Sequence, residues 1–73
     1  MSNTKIILDK TKESYIHAGS TSSDYIDGLV FSNEYTRDEV IKGLAQFLFW
    51  ADIDIEFDVI KSINGWKVVA LAS

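Results

Sequence analysis

Residues 36–72 read TRDEVIKGLAQFLFWADIDIEFDVIKSINGWKVVALA. Two signals in this stretch set the fold. The first is Thr36-Arg37-Asp38-Glu39, a capping box in which a hydroxyl and a carboxylate each satisfy an orphan backbone donor. Acids in the first turn also suit the helix dipole. The pattern predicts a helix over Arg37–Ala51. Gly43 inside it costs about 1 kcal/mol against alanine and marks a place where another backbone can come close. The second signal is the alternation of Ile53–Ser62 followed by Asn64-Gly65. Asn-Gly is the strongest short hairpin dipeptide, because a type I′ turn needs positive φ at both central positions. It predicts strands 53–62 and 66–72.

Working outward, Thr4–Asp9 carries Ile6-Ile7-Leu8 and reads as a short β-prone strand. Lys10–Glu13 reads as a polar turn, and Ser14–Ala18 as a second strand with His17 on its surface. Gly19–Ser23 has loop composition. Asp24–Ser32 is ambiguous. Gly28-Leu29-Val30-Phe31 favours a third strand after an Asp27-Gly28 turn, and a short helix opened by Ser23 or Asp24 is the alternative. The expectation is an α+β chain forming one domain over 1–73. Its order is β-β-(β)-α-β-β, an antiparallel sheet with one helix packed on one face.

On a helical wheel the 37–51 segment is apolar around about two thirds of its circumference. Val40, Ile41, Leu44, Ala45, Leu48 and Ala51 form one stripe, and Phe47, Phe49 and Trp50 extend it. Either Leu29–Phe31 folds over Phe47 and Trp50, or Phe47, Phe49 and Trp50 anchor a partner. In the hairpin, a turn at Asn64-Gly65 sets Ile63 opposite Trp66, Lys61 opposite Val68, Val59 opposite Ala70 and Phe57 opposite Ala72, all on the core face. The other face then carries Asp52, Asp54, Glu56 and Asp58 in a row, beside an apolar end of Ile60, Val69 and Leu71. Such a row is a solvated face that discourages edge pairing, or a surface for a basic partner.

The chain has 73 residues, 7 basic and 11 acidic, for a net charge of −4. The acids concentrate in residues 24–58, where nine face only Arg37 and Lys42. That imbalance argues against direct binding of nucleic acid, which needs clustered Lys and Arg. There is no cysteine, hence no disulfide framework and no thiol chemistry, and the cytoplasm is the default compartment. The N-terminus has no secretory h-region. No apolar run approaches the ~20 residues of a membrane span. His17 is the only histidine, so no nucleophile–base set can be assembled. No phosphate loop or metal-ligand spacing appears. The expectation is a protein without catalytic residues, metal or cofactor.

A domain this small makes a marginal core, and association with another chain is a common remedy. The composition therefore points to a small acidic protein-binding module. It is expected to be a homodimer and to act as a regulator or inhibitor by occupying a partner surface. Its partner-binding candidates are Phe47, Phe49, Trp50, Asp52, Asp54, Glu56, Asp58, Ile60, Val69 and Leu71. The alternatives are an acidic nucleic-acid mimic that blocks a DNA- or RNA-binding protein, and a small ligand-binding domain.

Overall fold

In the computed structural model, which describes residues 2–18 and 25–71, the chain opens with a helix. α1 spans Asn3–Ala18, where two short strands and a turn were expected from the sequence. The Ser2 hydroxyl starts it by accepting the Lys5 N–H at 3.2 Å, as an N-cap does. Its inward stripe runs through Thr4, Ile7, Thr11 and Tyr15. Thr11 is 2% exposed, and its hydroxyl donates to the Ile7 carbonyl at 2.7 Å. A threonine satisfied by its own helix can sit in a core at little cost. His17 accordingly lies in the last helical turn rather than on a strand.

β1 is the two-residue strand Val30–Phe31, reached through a turn at residues 25–28 in which Gly28 takes φ +86°. The strand reading of Gly28–Phe31 therefore holds in shortened form. The Gly19–Ser23 loop and any cap at Ser23 or Asp24 lie outside the described residues.

α2 spans Arg37–Ala51, as its capping box predicts. The Thr36 hydroxyl accepts the Glu39 N–H at 3.1 Å, and the Glu39 carboxylate accepts the Thr36 N–H at 2.8 Å. Asp52 ends the helix in the left-handed region, φ 57°, a conformation that Asp tolerates better than most residues. The two helices lie side by side and run in the same direction. Asn3 reaches Glu39, Ile7 lies on Gly43, and Tyr15 packs on Phe47.

β2 spans Phe57–Ser62 and β3 Gly65–Ala70. Strand pairing thus starts at Phe57, not Ile53, although Leu71 N–H still donates to the Glu56 carbonyl at 2.8 Å. The hairpin also turns one residue early. Ser62 faces Gly65, Lys61 faces Trp66 and Val59 faces Val68, so Ile63-Asn64 forms the loop. Neither loop residue has positive φ, which excludes type I′. Gly65 alone takes the positive value, +132°, and a Cβ there would collide with the Phe31 carbonyl. The glycine is fixed by the approach of β1, and the turn moves to accommodate it. Each partner shifts by two residues along the opposite strand, so the inward and outward sets are unchanged.

The antiparallel sheet has the order β1-β3-β2; α2 packs on β2, and α1 packs on α2. The fold class is α+β, with two helices rather than one. Ile7, Ile26, Val40, Leu44, Phe47, Leu48, Val59 and Val68 fill the space between the layers.

Candidate functional site

The ten candidate residues separate into four groups. Phe47 is fully buried and is withdrawn from any surface. Tyr15 and Tyr25 cover it, with ring centroids 5.3 and 6.3 Å away, and Leu29 and Phe31 pack against the same core cluster. Helix α1 supplies the side chain that a strand reading of residues 4–18 could not. Phe49 and Trp50 remain exposed on the helical layer. Phe49 stands on the polar side of α2 at 90% exposure, and Trp50 is held under the Lys12 ammonium, 5.0 Å from its ring centroid. Asp52 and Asp54 lie exposed in the connection after α2. The acids therefore do not form one strand-borne row, since only Asp58 belongs to a strand.

The remaining five, Glu56, Asp58, Ile60, Val69 and Leu71, meet on the outer face and free edge of the sheet. Neither of the two described helices covers this side, where Val30, Ile60 and Leu71 stay exposed. Val30 lies opposite Lys67 and Ile60 lies opposite Lys67 from the other side, so these three form a row across the sheet on one face. Val69 is the next outward residue on β3, opposite Asp58. Val30, Ile60 and Leu71 are 48, 44 and 43% exposed. A β-face packed only against solvent would carry polar residues at such positions. Sequence reasoning missed Val30 because its segment had no settled conformation. Alternation sets Lys67 on this face, but an acidic and apolar reading of the face left it out of the site.

The edge itself is β2, since β3 lies in the middle. The Glu56–Leu71 hydrogen bond fixes which residues of β2 turn toward β3. In an antiparallel ladder these alternate, so Asp58, Ile60 and Ser62 face β3, while Phe57, Val59 and Lys61 aim their backbone groups outward. Arg37 closes the middle of that row. Its Nε donates to the Val59 carbonyl at 2.7 Å and its Nη2 to Asp58 Oδ1 at 2.7 Å. The same carboxylate oxygen accepts the Val59 N–H at 2.8 Å. That backbone bond first, and then Arg37, hold the Asp58 carboxyl below its ordinary value. Arg37 had a helix-start role in the sequence and no signal there tied it to Asp58.

Two hollows flank the sheet. A cleft of about 250 Å³ lies between α1 and the β1 segment, lined by Lys10, Thr11, Ser14 and Tyr35 among others. It falls below the ~300 Å³ at which small-molecule sites begin. A more open groove of about 430 Å³ runs beside the β2 edge, lined by Arg37, Ile41 and Ala45 of α2, by the 55–58 segment and by Leu71. Among the described residues no cluster of three or more His, Asp or Glu could hold a metal ion. No helix described is long and apolar enough to cross a membrane. No protein-family model, curated protein or solved structure matches this chain.

Proposed function

We propose that the chain is a non-enzymatic protein-binding module that forms a homodimer through the outer face of its sheet and acts as a regulator by occupying a surface. The observation that carries this reading is the uncovered set Val30, Ile60, Val69 and Leu71 around Lys67 and Glu56. A two-fold interface requires a patch complementary to itself. This patch has apolar residues on all three strands, a base near its centre and an acid at its margin. Turned onto its own copy, it can bring Lys67 toward the partner's acidic margin while the apolar side chains pack. A cytoplasmic setting agrees with the absence of cysteine.

The nucleic-acid-mimic reading has weaker support. Arg37 neutralises Asp58, and Asp52 and Asp54 lie in the connection after α2 rather than on β2, so an evenly spaced line of free charges along a strand is not retained.

Sedimentation over rising concentration tests the proposal. Wild type is expected to self-associate with a Kd in the micromolar range or tighter, and Ile60→Lys with Leu71→Lys to remain monomeric with an unchanged circular dichroism spectrum. A constant monomer mass for wild type up to millimolar protein defeats it.

A further inference from the structure

We propose that the free edge of β2 is a strand-addition site for an extended peptide that alternates apolar and basic residues, with the Arg37 side chain as its removable plug. The site adjoins the homodimer face and shares Glu56 and Leu71 with it, but the inference rests on the backbone edge of β2 and stands without that reading.

Strand addition needs outward backbone groups, and the ladder assigns them to Phe57, Val59 and Lys61. Among the described residues nothing bonds the outward groups of Phe57 or Lys61. Those of Val59 are held by Arg37 and Asp58. The hold is weak, because the Arg37 and Asp58 side chains are 50 and 49% exposed and such pairs are screened by water. An incoming strand can replace it group for group. A peptide N–H takes the Val59 carbonyl and a peptide carbonyl takes the Val59 N–H. A basic side chain of the peptide then takes the released Asp58 carboxylate.

The surroundings fix the sequence of that strand. Alternate side chains of an added strand point to opposite faces of the sheet. Those on the helix side enter the groove between Ile41 and Ala45 of α2 and Ile55 and Phe57, which continues the helix–sheet core by one strand and calls for apolar residues. Those on the other side fall beside Glu56 and Asp58, with Asp54 just beyond, and call for lysine or arginine. A second copy of β2 does not meet this pattern. Pairing Val59 with Val59 sets Asp58 against Ile60 and Phe57 against Lys61, leaving the acids without cations.

The test uses an acetylated, amidated peptide of about eight residues alternating valine and lysine. Controls are the valine–glutamate peptide and a valine–lysine peptide N-methylated at alternate residues to block pairing. Amide exchange by NMR is the readout. The valine–lysine peptide is expected to protect the Phe57 and Lys61 N–H groups and to bind more weakly at high salt, while neither control binds. Arg37→Met should bind it about three- to tenfold more tightly, since the plugged state no longer competes. Wild-type binding without protection at Phe57 and Lys61, equal binding of the glutamate or N-methylated peptide, or no binding at all overturns the proposal. Repeating the titration on Val30→Lys separates it from the homodimer reading, because Val30 belongs to the homodimer patch but lies on β1 at the opposite edge of the sheet, away from the groove and from Glu56 and Asp58.

Discussion

Gly43 is where the two helices come closest. A Cβ at this position would stand 2.6 Å from Ile7 Cγ2 and 3.1 Å from the Thr4 carbonyl. Ile7 is fully buried and branched at Cβ, so it cannot swing aside as a flexible chain end would. Alanine would raise helix propensity by about 1 kcal/mol, yet overpacking a filled core costs about 1–3 kcal/mol. Gly43→Ala is expected to lower stability in urea titration by about 1 kcal/mol net, and a gain would show that α1 is free to shift. The carboxyls of Glu39 and Asp58 act through protonation. Glu39 is held below its ordinary value first by the Thr36 N–H, and Asp58 first by the Val59 N–H. A depressed folded-state value means that the stabilisation is complete above the unfolded carboxylate range, near pH 4. It is lost as pH falls through the lower folded values. The Glu39→Gln, Asp58→Asn variant should therefore show a shallower fall of melting temperature with acid than wild type. Identical slopes would remove both groups from the acid response.

The elements differ in how plainly their residues declare them. α2 was legible because the capping box is local and its hydrogen bonds involve only Thr36 and Glu39. The hairpin was legible in its strands and faces, but its turn was not. Gly65 answers to β1, a segment far away in sequence, and no local pattern contains that contact. α1 was misread for a related reason. Ile6-Ile7-Leu8 looks like a strand when Thr4 and Thr11 count as polar, whereas Thr11 belongs to the buried stripe through its bond to Ile7. Of the candidate site, Ile60, Val69 and Leu71 follow from alternation alone, while the loss of Phe47 to the core follows only once α1 exists. Tyr15 is the residue through which α1 exerts that effect. Its ring meets Tyr25, Phe47 and Trp50 edge-on at 5.2, 5.3 and 6.4 Å. Tyr15→Ala should cost about 2–3 kcal/mol and shift tryptophan emission to the red. A loss below about 1 kcal/mol would mean that α1 is held mainly by its first half.

At the scale of the molecule, stability in so short a chain rests on few long-range joins. One of them is β1, two residues that tie Val30 and Phe31 to Lys67 and Trp66. The hairpin partners of β3 lie close by in sequence, but β1 must return across α2, and such closures are paid for in entropy before contacts form. Neighbouring amides on β3 report on the two sides separately. Val68 N–H donates to the Leu29 carbonyl, whereas Val69, opposite Asp58, faces β2. Hydrogen exchange should release the Val68 amide sooner than that of Val69, and equal rates would mean that the sheet opens as one unit. The order of release has a cost for the cell. When β1 lets go, the middle strand becomes an edge, with Trp66 and Val68 beside an unpaired backbone and no arginine placed across it. That partly opened form, rather than the fully unfolded chain, is the species from which aggregation would start.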